Sequence, residues 1–231
     1  MRSIIFAIVV LTTSSVLADI ADVFHNVVRI NCPDGVGTGS VFEETETTFH
    51  VLTAAHVIQK AKEPGVFYED CHLNFYGSGK QSDLIPGKVR WANLIDDKKN
   101  VAVCRDVALI EVQKKDFGSF PHPAVIPLAK RNVKLKAEET ILSTGCPSGN
   151  WPSCFLGHVV DVTSFDNMVL LRPNIIPGRS GSPVTDSKGK AVHGVIVWYN
   201  NRDNIASAIS LQTIYEALDQ HRLPVQVDPN D

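Results

Sequence analysis

Short β-type segments recur along nearly the whole chain, and each is bounded by residues that favour turns. The segments are rich in Val, Ile, Thr and aromatic residues, whereas Gly, Pro, Asn, Asp and Ser lie between them. Many evenly spaced short strands are typical of a barrel or a sandwich, and two groups of strands predict two barrels. The first group comprises residues 27–31, 38–42, 48–53, 71–76, 85–93 and 107–112, and the second 140–145, 154–163, 168–172, 182–185, 191–198 and 205–209.

A proline-rich segment, FPHPAVIP at residues 120–127, separates the two groups. Closely spaced prolines favour an extended connector between packed units. We therefore predict an N-terminal β-barrel over residues 19–122 and a C-terminal β-barrel with a terminal helix over residues 123–231. The two barrels together form one domain. The expected fold class is all-β, with two six-stranded antiparallel barrels and a short C-terminal α-helix.

Only the segment near the end of the chain has clear helical spacing. Its apolar residues, Leu211, Ile214, Tyr215 and Leu218, fall on one face of a helix. Ser210 stands at the N-cap position, and Pro224 is expected to end the helix. His221 extends the same face.

The first eighteen residues differ in character from the rest. Arg2 precedes an apolar run of eight residues, and small polar residues and the sequence VLA at 16–18 follow it. This order predicts a secretory signal peptide cleaved after Ala18, and the apolar run is too short to span a bilayer. The alternative is a buried N-terminal strand. We expect a secreted protein, extracellular or periplasmic, that has no membrane contact after the signal is removed.

Charge and cysteine content exclude several classes of function. The net charge of −3 gives no attraction to nucleic acid. Because the five cysteines are an odd number, at least one is free or pairs outside the chain. No pair has C-x-x-C spacing and no histidine cluster accompanies them, so we expect no zinc site, no other metal and no cofactor.

The sequence PGRSGSP at residues 177–183 fits a loop that holds a nucleophile, and it also fits an ordinary surface loop, so the rest of the sequence has to decide. A serine hydroxyl needs a base within hydrogen-bond reach, and the base needs an orienting carboxylate. Glycines on both sides of Ser180 allow backbone conformations in which successive N–H groups converge on one oxygen. The base candidate is His56 in VLTAAHV, and the carboxylate candidate is Asp106 in RDVALIEV. Each motif alone is weak, because a lone histidine or a strand-opening aspartate is usually structural, but the three together are specific.

The segments TAAH, DVALI and GRSGSP resemble the three signature segments of the chymotrypsin-like, or trypsin-fold, serine proteases, and they occur in that family's order. The two strand groups resemble the family's two barrels, so the similarity covers nearly the whole mature chain. The resemblance implies that His56 is the general base, that Asp106 orients it and that Ser180 is the nucleophile. It also implies that the N–H groups of Gly178 and Ser180 form the oxyanion hole.

The resemblance further implies where the substrate pocket lies. The segment GVIVWYN is similar to the family strand that borders the specificity pocket, which places Val197, Trp198 and Tyr199 there. Asn174 and Ile175 stand where trypsin-like members carry an acid, so a preference for Lys or Arg is not expected. Ile196 stands where glutamyl endopeptidases have a histidine, so a preference for Glu is not expected either. We expect a small or apolar side chain before the scissile bond.

Two departures from the family pattern affect activation and disulfides. Arg179 replaces the aspartate that accepts a new N-terminus in many members, so activation through that salt bridge is not expected. If the first barrel closes as in the family, Cys32 approaches Cys71 and the two form a disulfide. Cys146 and Cys154 flank the turn PSGNWPS and are expected to form a second one, which leaves Cys104 unpaired.

Three functions remain open from the sequence. The first is a secreted serine endopeptidase that acts on a protein or peptide substrate as a monomer. The second is a catalytically silent binding protein with a protease fold, although such proteins usually lack one triad member and none is missing here. The third is an esterase or lipase, which the strand after Ser180 disfavours because those enzymes place a helix there.

Overall fold

The computed structural model describes residues 21–95, 105–162, 168–172, 177–200 and 205–221. The predicted signal peptide at residues 1–18 lies outside these ranges, as do Cys104, Asn174, Ile175 and Pro224.

The N-terminal half forms one sheet of seven antiparallel strands. Their order is β1-β2-β3-β7-β6-β4-β5, and β1 also pairs with β4, so six of the strands form a ring. Alternate side chains point inward from each strand and fill the ring with apolar groups such as Ile30, Val51, Phe75 and Leu109, all 0% exposed. The strands are β1 (Val27–Cys32), β2 (Gly35–Glu44), β3 (Thr48–Thr53), β4 (Asp70–Gly77), β5 (Lys80–Gln81), β6 (Ile85–Ile95) and β7 (Arg105–Gln113).

The C-terminal half forms a closed barrel in the order β10-β13-β12-β11-β8-β9. Its core is smaller and includes Ile141, Val159, Leu171, Val184 and Ile196, each at most 1% exposed. The strands are β8 (Thr140–Gly145), β9 (Ser153–Val162), β10 (Met168–Arg172), β11 (Pro183–Asp186), β12 (Val192–Asn200) and β13 (Ile205–Ser210). The predicted all-β architecture with two barrels is confirmed.

Two local features add to the sequence prediction. Residues 21–26 are helical ahead of β1. After a two-residue turn at Ser78 and Gly79, Lys80 pairs with Gly77 and begins the short strand β5. Ser78 and Gly79 have φ of 50° and 72°. Positive φ at both central residues is the geometry of a two-residue hairpin turn, which continues the ladder rather than ending it.

The C-terminal helix α1 (Leu211–Gln220) forms as predicted and closes one side of the fold. The Ser210 side chain accepts a hydrogen bond from the Thr213 N–H at 3.3 Å, which caps the first turn. The buried Tyr215 donates its hydroxyl proton to the Ala129 carbonyl at 2.7 Å and so ties the helix to the segment that follows the connector. His221, at the end of the helix, stacks on Trp91 with ring centroids 4.9 Å apart. Within the described part of the chain, no helix is long and apolar enough to cross a membrane.

The connector between the barrels makes backbone hydrogen bonds to both of them. Ile126 N–H donates to Val41 of β2 at 3.0 Å, and Val192 N–H of β12 donates to Pro127 at 2.8 Å. The chain therefore passes from one barrel to the other within a few residues of this point. The domain limits at 122 and 123 stay a prediction.

The four cysteines that the structure describes form one disulfide, between Cys32 and Cys71. The pairing follows from topology, because β1 and β4 are hydrogen-bonded neighbours. The expected bridge between Cys146 and Cys154 is wrong. Cys146 is buried with its sulfur 3.9 Å from the Tyr76 hydroxyl, whereas Cys154 is an exposed residue of β9. One thiol thus lies inside the protein and the other on its surface.

Loss of the Cys32–Cys71 bridge is expected to lower the free energy of unfolding by about 3–4 kcal/mol, because the bond closes a loop with a sequence separation of 39 and restricts the unfolded chain. Urea unfolding of a Cys32→Ser, Cys71→Ser double variant measures this loss. The Cys154→Ser variant is the control and should unfold like the parent. A double variant as stable as the parent would contradict the expectation.

Candidate active site

His56 lies on a short 3₁₀ turn, Ala55–Ile58, directly after β3. Ala54, Ala55 and Ile58 are 0% exposed and fix this turn against the first barrel. The small alanine side chains allow the backbone to pass close to the neighbouring strands. The His56 side chain itself is 36% exposed. The turn is therefore buried, while part of the imidazole remains accessible to solvent.

Asp106, the second residue of β7, contacts His56 at two points. Its Oδ2 lies 2.6 Å from His56 Nδ1, and its Oδ1 accepts a hydrogen bond from the His56 backbone N–H at 3.0 Å. A carboxylate can only accept hydrogen bonds, so in the neutral imidazole the proton lies on Nδ1 and Nε2 carries the lone pair. The aspartate therefore sets both the tautomer and the orientation of the ring.

Asp106 also controls the pKa of His56. Burial favours the neutral imidazole and lowers the pKa. The hydrogen bond to Asp106 and the charge of Asp106 raise it and prevail, so the pKa of His56 lies above its ordinary value. The pair stabilises an imidazolium, which is the property that a general base next to a hydroxyl requires.

The loop that carries Ser180 depends on two glycines with positive φ, 92° at Gly178 and 89° at Gly181. At Gly178, a Cβ would lie 2.6 Å from the Cys146 carbonyl oxygen. At Gly181, it would lie 1.9 Å from the Thr38 carbonyl oxygen. No side chain fits at either position, so the loop can pack directly on the backbone of both barrels.

Ser180 is partly exposed on this loop. Its carbonyl oxygen accepts a hydrogen bond from Thr38 N–H of β2 at 2.8 Å, and Gly181 N–H donates to Ile196 of β12 at 2.7 Å. The loop is thus fixed between the two barrels. Close packing of the loop against Gly37 of β2 supports this. A Cβ on Gly37 would lie 2.5 Å from Val57 Cγ2 and 3.1 Å from the Ser180 carbonyl oxygen. Ser180 and Val57, the residue after His56, therefore both pack against Gly37.

No hydrogen bond between described residues joins the Ser180 hydroxyl to the His56 imidazole. The structure brings His56 and Asp106 into direct contact and places Ser180 on the segment that packs beside them. Catalytic hydrogen bonds are often long without substrate and shorten in its presence.

The amides of Gly178 and Ser180, which the sequence assigned to the oxyanion hole, make no hydrogen bond to any described residue. Thr38 fixes the peptide between them. Its hydroxyl donates to the Gly178 carbonyl at 2.8 Å and accepts from Cys146 N–H at 2.9 Å. Sequence reasoning missed Thr38, because a threonine inside a strand carries no signal for a site residue.

The proposed pocket strand is only partly described. Val197 is buried and Trp198 is 53% exposed. Both follow Ile196, whose carbonyl accepts the hydrogen bond from Gly181 N–H. Tyr199 pairs with Ala206 in the ladder, and its side chain lies outside the described parts. Because Asn174 and Ile175 also lie outside the described residues, the preference for a small or apolar side chain stays a prediction.

Among the described residues, no group of three or more His, Cys, Asp or Glu side chains could hold a metal ion.

Two β-barrels, a histidine held by an aspartate and a serine on a glycine-bounded loop define a class, the serine-type endopeptidases of the trypsin fold. The sequence model of a protein family, the trypsin-like peptidase domain, matches residues 37–195 of this chain. The match runs from the strand that carries Thr38 to the strand that carries Val195. The chain belongs to the trypsin-like peptidase family.

Solved structures with the same fold come from bacterial proteases and from Deg5. The active form of the Rv3671c protease from M. tuberculosis is 19% identical, with a TM-score of 0.60 over 90% of this chain and 86% of that one. Deg5 is 20% identical, with a TM-score of 0.61 over 87% and 90%. The serine endoprotease from Yersinia pestis is 17% identical, with a TM-score of 0.63 over 89% of this chain and 65% of that one. No curated protein matches the sequence.

Proposed function

We propose that this chain is a secreted endopeptidase that hydrolyses peptide bonds through His56, Asp106 and Ser180 and a covalent acyl-enzyme. The observation that carries the proposal is the two-point contact of Asp106 with His56, which leaves Nε2 of the imidazole as the available base. The nucleophile loop packs on the same part of the first barrel, through Thr38.

In the first half of the reaction, Ser180 Oγ attacks the carbonyl carbon of the scissile bond while His56 Nε2 takes the hydroxyl proton. The C–N bond then breaks, His56 returns the proton to the leaving amine, and the acyl group remains on Ser180. In the second half, water attacks the acyl carbon, His56 takes one of its protons and gives it back to Ser180 Oγ. The products are a free amine and a free carboxylic acid.

The carbonyl oxygen gains negative charge in each tetrahedral intermediate and needs hydrogen-bond donors aimed at it. The Gly178 and Ser180 amides supply them, since neither has a hydrogen-bond partner among the described residues. Thr38 and the positive φ of Gly178 hold these donors in place before substrate arrives. Preorganised donors require no rearrangement during the reaction, which is the physical origin of their effect.

Secretion is supported by the signal-like segment at residues 1–18 and by the Cys32–Cys71 disulfide, because such bonds persist in oxidising compartments. The proposed partner is a protein or peptide substrate. The proposal includes no binding to nucleic acid or to a membrane, and the proposed oligomeric state is a monomer. An exposed Trp198 beside the loop gives substrate an apolar surface.

A fluorophosphonate probe tests the proposal, because it reacts only with an activated serine. Purified protein without residues 1–18 should be labelled in proportion to its concentration, and a peptide library should be cut with a preference for small or apolar residues before the bond. Folded protein that is neither labelled nor able to cut any peptide would favour the catalytically silent binding protein instead.

The pH dependence follows from the direction of the His56 shift. A protonated imidazole cannot accept the Ser180 proton, so kcat/KM should fall as the pH drops through the pKa of His56. Because that pKa is raised, the midpoint should lie above pH 6.5, the ordinary value for histidine. A pH profile of kcat/KM for a peptide substrate measures it, and activity that increases toward pH 4 would rule out His56 as the base.

A further inference from the structure

Arg179 is a cation buried in the second barrel, although it lies between Gly178 and Ser180 in the sequence. The residue is 4% exposed. Its Nη2 donates to the hydroxyl of Ser153 at the start of β9, and the guanidinium lies over the Phe155 ring, 4.8 Å from its centroid. Nε and Nη1 are also buried, and neither has an acceptor.

None of the ion pairs formed by the described residues includes Arg179. Burial lowers the pKa of Arg179, which is the direction expected for a cation without a carboxylate beside it. Burial also raises the pKa of the Cys146 thiol to about 11, so that neighbour is uncharged at neutral pH. An arginine stays protonated in proteins, and a buried charge without a counter-charge is strongly destabilising.

A second group with an unused donor lies beside Arg179. The hydroxyl of Ser182 is 0% exposed and has no hydrogen-bond partner. Ser182 and Arg179 approach each other over Gly145, since a Cβ there would be 2.0 Å from Ser182 Oγ and 3.3 Å from Arg179 Cγ. A guanidinium and a free hydroxyl can both donate to a single negative group.

We propose that Arg179 binds a small inorganic anion of about the size of chloride, enclosed between the nucleophile loop and the β8–β9 hairpin. The anion accepts the Nε and Nη1 protons, and the hydroxyl of Ser182 turns toward it. The ligand is small because the guanidinium is almost completely covered. Its charge compensates the buried cation and so stabilises the loop that carries Gly178 and Ser180. The binding does not depend on the proposed catalytic mechanism.

Thermal unfolding in two sodium salts of equal ionic strength tests the site. Bromide fits an enclosed site and gluconate does not. The protein used is Ser180→Ala, so that self-digestion does not contribute. An anion that binds only the folded state, at one hundred times its dissociation constant, shifts the unfolding equilibrium about 100-fold. For a chain of this size, Tm in bromide should exceed Tm in gluconate by roughly 5–10 °C.

Two further variants on the same background separate the site from general salt effects. Arg179→Met, which removes the charge, should lose the difference between bromide and gluconate. Arg131→Met, the same change at an exposed arginine paired with Asp219, should keep it. If the Arg179 variant does not fold, crystals of the Ser180→Ala protein grown in bromide test the proposal instead. An anomalous peak from bromide should then lie within hydrogen-bond distance of the Arg179 guanidinium. Equal Tm values in the two salts, or no peak at that position, would overturn the proposal.

Discussion

Replacing Ser180 with alanine should lower kcat on the order of 10⁶-fold, the scale found when the nucleophile of a Ser-His-Asp triad is removed. The reason is chemical, because without the hydroxyl no acyl-enzyme can form and His56 has no proton to transfer. The fold should persist, since the Ser180 side chain is partly exposed and makes no hydrogen bond to a described residue. Single-turnover and steady-state assays on one peptide substrate, with fluorophosphonate labelling, measure the loss.

The same barrel supplies a matched control. Ser187→Ala removes an exposed hydroxyl in the turn after β11 that makes no hydrogen bond to a described residue, so labelling at Ser180 should remain. Circular dichroism and Tm of both variants establish that each is folded. If Ser180→Ala retained more than about one hundredth of the parent kcat, a different residue would have to be the nucleophile.

Replacing Asp106 with asparagine should lower kcat by about 10⁴-fold and leave KM nearly unchanged. An amide Nδ2 donates where the carboxylate Oδ2 accepted, so the imidazole can no longer keep its proton on Nδ1. The lone pair then leaves Nε2, and the ring cannot act as a base toward Ser180. The amide oxygen can still accept from the His56 backbone N–H, which preserves the 3₁₀ turn.

The Asp106 variant has a second readout that a loss of packing would not produce. Both effects that raise the pKa of His56 come from Asp106, so the histidine pKa measured by NMR should fall in Asp106→Asn. Asp116→Asn, the same change at an exposed aspartate, is the control and should alter neither kcat nor the histidine pKa. A loss of kcat below tenfold would show that Asp106 does not orient the base.

Much of the fold could be predicted because strands, turns and caps are local. Alternation of apolar residues, the turn-forming residues between them and the Ser210 cap each involve a few neighbouring positions. The three catalytic candidates were also visible, since TAAH, DVALI and GRSGSP are short motifs in a characteristic order. The pairing of Cys32 with Cys71 was predicted only through the resemblance to the family, which supplied the closure of the first barrel.

The wrong disulfide and the missed Thr38 have a common cause. Cys146 and Cys154 flank one turn, and their spacing suggested a bridge. Whether the side chains face each other depends on how the end of β8 packs against Tyr76 in the other barrel. Thr38 became a site residue because β2 passes beside Gly178, far away in the sequence. Neither contact can be inferred from residues near it in the chain.

By itself the sequence determined which segments become strands, where the turns lie and which three motifs carry the catalytic candidates, because these properties depend on residue type and local spacing. Only the tertiary structure decided that Asp106 contacts His56 at two points, that one cysteine lies inside and another outside, and that Arg179 is buried without a carboxylate. Each of these depends on the register and packing of strands distant in the chain, and that geometry is set when the two barrels close and come together.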